Sequence, residues 1–376
     1  MELIYTVKKI KVLVVDDSAL MRKIISDMIN SQSNMEVIAT ARNGKDLIDK
    51  VDALTPDVIT LDVEMPVMDG MEALKELQNK KNNIPVIVLS SFSKKSSELT
   101  MECLGNGAFD FLPKPSGSIS LDIDKVKDDL ITKINLAYKK CEFGCSQEDI
   151  KNHSKKLMES RKENKKEDKQ TVFKNNIRNK KIEAVAIGAS TGGPKALYEV
   201  ITKLPKDLGV PVFVVQHMPA TFTKAFADRL DRNSNLKVVE ATEGEIIREN
   251  VVYIAPGGFH MEVNGNRISL NKEDPIWGVR PAVDKLFFSV AKLYKDKLLS
   301  IVLTGMGRDG AEGTVEVKKN GGITISEDEA TCTIYGMPKA TFETGNVDIV
   351  LPIQEISDAI IKIVKGSGEG YGFRKI

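Results

Sequence analysis

The sequence predicts an α/β protein of two domains, each built around a doubly wound, mostly parallel sheet. Apolar runs of strand length alternate with helical patterns in both halves of the chain, which is typical of parallel sheets covered by helices. Its 376 residues are enough for two such domains. Between the halves, residues 139–181 hold 14 Lys and Arg against 7 Asp and Glu, a net charge of +7 that leaves −6 for the remainder. We therefore predict one domain over residues 9–137, a flexible charged linker over 138–180 and a second domain over 181–370.

The composition is that of a soluble globular protein, with 41% apolar and 28% charged residues. No apolar stretch approaches the roughly 20 residues that a membrane-spanning helix needs, and the N-terminus lacks a signal pattern. We therefore expect a cytoplasmic protein, most simply a monomer, without membrane insertion. The basic linker is also compatible with nucleic-acid binding, but such charge runs are usually solvated, so we expect no nucleic-acid partner.

Polar side chains follow four predicted strands of the first domain, at the point where each strand ends. Helical patterns from Ala19 to Ile29 and from Gly70 to Leu77 lie between strands, so the strands are expected to run parallel. The carboxyl ends of parallel strands meet at one edge of a sheet, which would bring these side chains together. They are Asp16 and Asp17 after Ile10–Val15, Asp62 after Asp57–Leu61, Ser90 after Pro85–Leu89, and Lys114 after Ala108–Pro113.

This set of side chains suits a site for phosphoryl chemistry. Three carboxylates at neighbouring strand ends would form an acidic pocket able to hold one Mg²⁺ through oxygen ligands and water. A lysine and a hydroxyl beside them would stabilise the oxygens of a phosphorylated carboxylate. The alternative, three unrelated surface aspartates, does not explain why Lys114-Pro115 stands at the end of a fourth strand.

The spacing of these residues over positions 9–137 resembles the receiver domain of two-component response regulators. The resemblance implies a flavodoxin-like fold with a five-stranded parallel sheet, and Mg²⁺ as the cofactor of phosphorylation. It also implies a role for each residue of the motif: Asp62 as the phosphorylated residue, Ser90 as the switch hydroxyl, Lys114 as the phosphate partner, and Asp16, Asp17, Asp62 and the backbone carbonyl of Glu64 as metal ligands.

A serine between glycines follows the first predicted strand of the second domain. The apolar run Ile182–Ala189 leads into Gly188-Ala189-Ser190-Thr191-Gly192, which fits the G-x-S-x-G pattern of a nucleophilic serine on a sharp strand-to-helix turn. A glycine-rich loop whose N–H groups bind a phosphate at a helix N-terminus is the other interpretation. The motif alone leaves both open.

Two further strands end in residues that complete a hydrolytic set. The run Val210–Gln216 ends before His217, and Leu298–Leu303 ends before the glycine-bracketed Asp309. Singly, such residues are more often turn, cap or structural residues. In a Rossmann-like parallel sheet, however, the strand ends converge on one crevice. There Ser190, His217 and Asp309 would supply a nucleophile, a base and an orienting carboxylate.

The order of these residues along the chain and a second histidine qualify this interpretation. The order Ser, His, Asp differs from the Ser, Asp, His order of α/β-hydrolases, so that fold is disfavoured. His260 is the second candidate for the base, and it ranks lower because its sequence context favours a hairpin or loop.

Joined to the first domain, these motifs resemble the chemotaxis protein-glutamate methylesterases, the CheB family, over about residues 181–365. Besides the serine motif, the resemblance rests on Gln216-His217-Met218, Ala255-Pro256-Gly257, Arg280-Pro281-Ala282-Val283-Asp284 and Thr304-Gly305-Met306-Gly307-Arg308-Asp309-Gly310. It implies hydrolysis of glutamyl methyl esters on chemoreceptors, with release of methanol, and deamidation of certain receptor glutamines. Chemoreceptors would be the substrate and a chemotaxis histidine kinase the phosphodonor.

The resemblance also implies control by phosphorylation of Asp62, with the unphosphorylated receiver domain hindering access to the hydrolytic site. Backbone N–H groups near Thr191 or Met306 would stabilise the oxyanion, and the second domain needs no metal. The alternative is a response regulator with a nucleotide-binding, non-hydrolytic effector domain. Against it, His217 stands about 20 residues beyond the glycines, where such a domain carries an acidic residue.

Overall fold

The computed structural model describes residues 8–80, 82–115, 122–142 and 180–366. The chain divides into two compact units between residues 144 and 145. Residues 143–179, most of the predicted linker, lie outside the described residues, as do residues 367–370 of the predicted second domain. The limits of the linker and of the two domains therefore remain predictions.

The described part of the first unit contains five strands: β1 Ile10–Val15, β2 Met35–Ala41, β3 Val58–Asp62, β4 Val86–Ser90 and β5 Asp110–Pro113. They form one parallel sheet in the order β2-β1-β3-β4-β5, which confirms the predicted five-stranded, flavodoxin-like sheet. The strand β2 is not one of the four strands that the sequence patterns located, each of which ends in polar site residues. It lies at the sheet edge, and only its first and last residues, Met35 and Ala41, are buried.

Helices connect these strands: α1 Ala19–Asn30, α2 Gly44–Leu54, α3 Gly70–Asn79, α4 Lys94–Gly105 and α5 Asp122–Glu142. Polar residues determine where four of them begin, because the side chains of Ser18, Asn43, Asp69 and Ser93 each accept a hydrogen bond from an N–H in the first turn. The helix α5 continues to Glu142, beyond residue 137, where the sequence predicted the end of the domain.

The second unit contains nine strands in its described part: β6 Ala184–Ala189, β7 Val212–Gln216, β8 Lys237–Glu240, β9 Val251–Ile254, β10 His260–Asn264, β11 Arg267–Asn271, β12 Leu298–Val302, β13 Ile323–Glu327 and β14 Ile349–Leu351. Seven form a parallel sheet in the order β14-β13-β12-β6-β7-β9-β8, and β10 and β11 form an antiparallel hairpin. The predicted mostly parallel α/β sheet is confirmed.

The described α-helices of this unit are α6 Gly193–Ile201, α7 Phe222–Asn233, α8 Val283–Tyr294, α9 Ala311–Lys319, α10 Met337–Glu343 and α11 Ile353–Lys365. The first strand, β6, lies between β7 and β12, so the chain builds outward on one side of β6 and then on the other. Open α/β sheets bind ligands beyond the strand ends at such a reversal. None of the described helices in either unit has both the length and the apolar character that crossing a membrane requires.

Helix α8 shows how these helices cover the sheet. Its residues Leu286, Phe287 and Val290 are fully buried and belong to an apolar core cluster of the second unit. The opposite face of the same helix meets solvent, where Lys292 is exposed. Leu293, in the last turn of the helix, is 40% exposed. This spacing of apolar residues is that of an amphipathic helix packed on a sheet.

Truncating one buried and one partly exposed leucine of α8 tests this packing. We expect Leu286→Ala to lower the free energy of unfolding by about 3 kcal/mol, because its fully buried side chain would leave a cavity. Leu293→Ala, on the same helix, is the matched control and should cost less than about 1 kcal/mol. Urea unfolding followed by the fluorescence of the single tryptophan, Trp277, measures both changes. Equal losses would contradict the burial of Leu286 in the core.

Candidate functional site

The acidic residues predicted for the first domain lie together at the carboxyl ends of β1 and β3. Asp16 and Asp17 directly follow β1, and Asp62 is the last residue of β3. One carboxylate oxygen from each lies within 4.8 Å of the others. Asp16 and Asp62 are buried, whereas Asp17 is exposed. A cluster of carboxylate oxygens of this kind suits a hard cation such as Mg²⁺.

Lys114 places a positive charge beside two of these carboxylates. It follows β5, and its Nζ atom lies 2.8 Å from Asp16 Oδ2 and 2.7 Å from Asp62 Oδ2. Burial by itself would lower the pKa of Lys114, but its contacts with the two carboxylates outweigh burial and raise the pKa. The ammonium therefore remains charged, and the structure brings it together with the predicted aspartates.

Burial determines the electrostatic state of Asp62. It raises the pKa of Asp62 to about 6 against the opposing effect of the Lys114 ammonium, and the charge of Asp16 adds to the rise. The ionised form of Asp62 is therefore less favourable in the folded protein than in water. More positive charge at this site would relieve that cost.

Ser90 is buried at the end of β4, one position beyond the residue that pairs with Asp62. Its hydroxyl oxygen accepts a hydrogen bond from Thr100 Oγ1 on α4 at 2.7 Å and donates to Ser91 O at 3.3 Å. The structure thus brings the predicted switch hydroxyl to the strand beside Asp62. In this structure it contacts α4.

Glu64 stands two residues after Asp62, to whose Oδ1 atom its N–H donates at 3.3 Å. Its carboxylate accepts a hydrogen bond from the hydroxyl of Ser96 and lies 3.6 Å from Lys95 Nζ, both on α4. The Glu64 side chain therefore contacts α4. The predicted role of its backbone carbonyl as a metal ligand remains a prediction.

Ser190 stands at the reversal of strand order in the second unit. It follows β6, its N–H donates to Thr304 O at 3.0 Å beyond β12, and its carbonyl accepts from Gln216 Nε2 at 2.9 Å on β7. The turn is therefore tied to the strands on both sides. Gly192 caps α6 with φ of +77°, and a Cβ atom there would lie 2.3 Å from Thr333 Cβ, so the turn requires glycine.

His217 lies beside Ser190 on the neighbouring strand. Ala189, the last residue of β6, pairs with Gln216, the last residue of β7. Ser190 and His217 each follow directly, so they stand at the same level of the sheet. Neighbouring strands lie about 5 Å apart, which puts both side chains at one edge of the sheet. The Ser190 hydroxyl makes no hydrogen bond to the ring of His217, and both residues belong to the described part of the chain. In hydrolytic sites such a bond often forms fully only when the substrate binds.

Asp309 contacts His217 directly, with 2.7 Å between Asp309 Oδ2 and His217 Nε2. The carboxylate also accepts the N–H groups of Val283 at 2.6 Å and Asp284 at 2.9 Å, the first two residues of α8. Burial alone would raise the pKa of Asp309, but the bond to His217 and these N–H donors lower it. An ionised carboxylate in this place holds the imidazole in one orientation and one tautomer.

The two residues predicted near the oxyanion flank Ser190. Thr191 is buried and its carbonyl accepts from Thr304 Oγ1 at 3.0 Å, whereas the side chain of Met306 is 49% exposed. The loop before Met306 approaches closely at Gly305, where a Cβ atom would lie 2.7 Å from Ser190 Cβ. Among the described residues, no acceptor contacts the backbone N–H of Thr191 or of Met306.

His260, the second candidate for the base, is buried at the start of the β10–β11 hairpin. Its Nδ1 atom accepts the N–H of Ala282 at 3.2 Å, so Nε2 carries the proton and donates to Asp274 O at 3.1 Å. Both ring nitrogens hold the segment that precedes α8. This arrangement is that of a structural histidine.

Two buried carboxylates near the site have no role in the sequence-based interpretation. Asp284, which is 1% exposed, accepts the N–H groups of Gly310 at 3.0 Å and Gly313 at 2.7 Å. Glu327, the last residue of β13, accepts the N–H of Thr304 at 2.8 Å. Asp284 belongs to a motif of the family resemblance, but an acidic residue in the first turn of a helix is common on protein surfaces. Its sequence position therefore does not indicate burial.

The two sites together define the class of protein. A cluster of aspartates with a lysine at the strand ends of the first sheet is the arrangement of a phosphorylated regulatory domain. A serine, a histidine and an aspartate at the strand ends of the second sheet suit hydrolysis. The chain is a response regulator with a hydrolytic second domain.

Comparison with known proteins gives the family. Residues 185–360 match the sequence model described as CheB methylesterase, and residues 12–123 match the one described as response regulator receiver domain. A protein-glutamate methylesterase/protein-glutamine glutaminase of Clostridium acetobutylicum is 59% identical over 360 residues, which are 96% of this chain and 99% of the relative. The protein of the same name from Pyrococcus horikoshii is 44% identical over 368 residues, 96% of each. The crystal structure of the Thermotoga maritima CheB methylesterase catalytic domain, 46% identical, covers 49% of this chain and 99% of its own, with a TM-score of 0.47. The chain belongs to the CheB methylesterase family.

The raised pKa of Asp62 contributes to the pH dependence of the stability of the first unit. A carboxyl whose pKa is about 6 in the fold and ordinarily 3.8 stabilises the fold fully below pH 4 and loses that contribution as the pH rises through 6. We expect Asp62→Asn to raise the free energy of unfolding by up to about 3 kcal/mol at pH 8 in EDTA, and by little at pH 4.

Scanning calorimetry of the full chain across this pH range measures the difference between variant and wild type. Asp17→Asn, at an exposed position of the same cluster, is the control and should bring no such pH-dependent gain. A gain from Asp62→Asn that is equal at both ends of the range would contradict the raised pKa.

Proposed function

We propose that this chain is a chemotaxis response regulator that hydrolyses glutamyl methyl esters on chemoreceptors, releasing methanol, and deamidates specific receptor glutamines. The relatives described above are named for these two activities. The observation that best supports the hydrolytic chemistry is the 2.7 Å contact between His217 and the buried Asp309, beside Ser190 on the next strand.

In this proposal the chain has a receiver domain over residues 9–137, a charged linker over residues 138–180 and a methylesterase domain over residues 181–370. It acts in the cytoplasm as a monomer, with chemoreceptors as substrate and a chemotaxis histidine kinase as phosphodonor. Neither nucleic acid nor membrane insertion has a part in this function. The nucleotide-binding alternative is not favoured, because the relatives are named as esterases and because His217 and Asp309 accompany the glycine-flanked serine.

Ser190 is the proposed nucleophile, and His217 is its general base. Because Nε2–H of the imidazole donates to Asp309, the unprotonated Nδ1 atom takes the proton of the Ser190 hydroxyl as Oγ attacks the side-chain carbonyl of the substrate. The charge of Asp309 favours the imidazolium that forms. The ring then returns the proton to the departing methanol or ammonia. A water molecule, deprotonated by His217, attacks the acyl-serine and releases the glutamate.

The N–H groups of Thr191 and Met306 are the proposed donors to the oxyanion of the tetrahedral intermediate. Both belong to the loops that flank Ser190, and both lack an acceptor among the described residues. Donors fixed by the backbone stabilise developing charge without reorganising during the reaction. The reaction as proposed needs no metal here, because side chains supply the nucleophile, the base and the charge.

In the first domain, Asp62 is the proposed phosphorylated residue. Its own carboxylate, those of Asp16 and Asp17 and the backbone carbonyl of Glu64 would hold Mg²⁺, and the spacing of the three carboxylates fits such an ion. When bound, Mg²⁺ neutralises the negative charge of the carboxylates and of the phosphoryl group. Lys114, already in contact with Asp62, supplies a second positive charge to the phosphoryl oxygens.

Ser90 is the proposed switch hydroxyl, through its contact with Thr100 on α4. A phosphoryl group on Asp62 adds charge and acceptor oxygens beside β4. The Ser90 hydroxyl would then donate to the phosphoryl group instead of to Ser91 O. Its movement toward Asp62 would take its oxygen away from Thr100 and so change the environment of α4. We propose that this change increases the access of substrate to the second domain.

Removal of the proposed nucleophile tests the hydrolytic site. We expect Ser190→Ala to reduce methanol release from methylated receptor membranes by at least about 1,000-fold with the fold intact, because only a hydroxyl is lost. Ser269→Ala, on the β10–β11 hairpin, is the control and should keep full activity. Asp309→Asn should retain a small activity, because it loses the orientation of the base and keeps the nucleophile. A serine-directed phosphonate should label Ser190, as read by peptide mass spectrometry.

Near-wild-type turnover by Ser190→Ala would refute the esterase mechanism. An inactive but folded His260→Gln together with an active His217→Gln would reverse the assignment of the base.

Phosphorylation of Asp62 tests the proposed control. We expect a small acyl phosphate with Mg²⁺ to raise methanol release by the full chain on the order of tenfold, the effect of a shift of about 1.4 kcal/mol between two states. Asp62→Asn and the isolated residues 181–376 should not respond. If the receiver domain occludes the site, residues 181–376 should also be faster than the unphosphorylated full chain. Equal basal rates would exclude occlusion and leave activation by the phosphorylated receiver domain.

A further inference from the structure

Asp284, the second residue of α8, is a buried carboxylate that the mechanism above does not use. Its Oδ1 atom accepts the N–H groups of Gly310 at 3.0 Å and Gly313 at 2.7 Å. Its Oδ2 atom accepts Nε1–H of Trp277 at 3.1 Å. Since Gly310 and Gly313 stand at the start of α9, Asp284 caps that helix.

Asp309 caps α8 in the same way, through the N–H groups of Val283 and Asp284. Each carboxylate therefore caps the helix that begins next to the other. Both also accept the N–H of Gly310, at 3.0 Å in each case, so the two carboxylates lie side by side. Asp309 in turn contacts His217.

We propose that Asp284 is a positioning residue of the hydrolytic site and acts through Asp309. Its carboxylate fixes the segment that carries Asp309, and its charge adds to that of Asp309 in favouring the protonated form of His217. This inference rests on the proposed function, in which His217 takes and returns a proton. Asp284 itself touches neither the substrate nor the reacting atoms.

Helix capping alone does not account for a second carboxylate at this place. A neutral asparagine caps a helix about as well as aspartate and would not repel Asp309. Burial raises the pKa of Asp284 to about 6, and the charge of Asp309 adds to the rise, so the ionised form lowers the stability of the fold at neutral pH. A carboxylate kept at such a cost next to a site of proton transfer is typical of a functional role.

The charged groups on the neighbouring segments set the sign of the effect. Besides Asp309 they include the ring of His217, the guanidinium of Arg308 at 4.7 Å from the ring of Trp277, and Lys285 on α8, which pairs with Glu273. The first turn of α9 adds the exposed carboxylate of Glu312. Because Asp309 links Asp284 to His217, loss of the Asp284 charge makes the potential at His217 less negative. Protonation of His217 should then require a lower pH.

An NMR titration of the full chain tests this effect without any substrate. The chain has three histidines, and His217→Gln identifies the signal of His217. We expect Asp284→Asn to lower the titration midpoint of that signal by about one pH unit, the size of effect that a nearby charge produces. Trp277→Phe is the matched control, because it removes a hydrogen bond to Asp284 and leaves both carboxylates, and it should move the midpoint by less than about 0.3 unit. An unchanged midpoint in Asp284→Asn overturns the proposal.

The pH profile of kcat/KM for methyl-ester hydrolysis supplies the kinetic counterpart. Its acid limb reports the protonation of the base in the free enzyme, so the limb should move to lower pH by the same amount in Asp284→Asn. A merely structural role for Asp284 would lower the plateau and leave the limb in place. Activity retained by Ser190→Ala would defeat the proposed function, whereas the NMR titration would still decide the role of Asp284.

A reciprocal measurement covers the case in which Asp284→Asn does not fold. Coupling between two sites is mutual, so His217→Gln should raise the titration midpoint of the Asp284 carboxyl, followed by its carbon-13 signal. Equal midpoints for Asp284 in wild type and His217→Gln would show that the two groups are not coupled, against the proposal.

Discussion

The second domain depends on one carboxylate that stays ionised inside the protein. Asp309 is 2% exposed, and an isolated charge buried to this extent would be strongly unfavourable. The backbone N–H groups of Val283, Asp284 and Gly310 and the ring of His217 compensate for its desolvation. The same contacts fix the start of α8 and orient the imidazole. Fold and site therefore share one set of hydrogen bonds, and neither can change without the other.

The parallel sheet gives this set its geometry. Ser190 and His217 directly follow the paired ends of two neighbouring strands, so the distance between them follows from the spacing of the strands. The backbone of Ser190 is held further by Thr304 beyond the strand on its other side. A nucleophile supported on both sides by strands needs little ordering before it reacts, which is the advantage of building a site on rigid elements.

In the first domain, unlike at Asp309, the negative charge of the buried carboxylates is only partly compensated. Asp16 and Asp62 are both buried, and the single ammonium of Lys114 serves them both, which leaves an excess of negative charge. Such a site responds strongly to an added cation or phosphoryl group, because each changes the balance of charge in a region of low dielectric constant. The contact between Ser90 and Thr100 connects that balance to α4.

The sequence by itself determined that each domain has a parallel sheet and which residues end the strands that carry the sites, because an apolar run followed by a polar residue such as Ser190 or His217 is a local pattern. The edge strand β2 lacks a continuous apolar run, so that pattern does not reveal it. Only the tertiary structure decided that both ring nitrogens of His260 hold a neighbouring segment and that Asp284 is buried against Asp309. These contacts join segments far apart in the chain, and their partners follow from the packing of helices on the sheet, which no local pattern specifies.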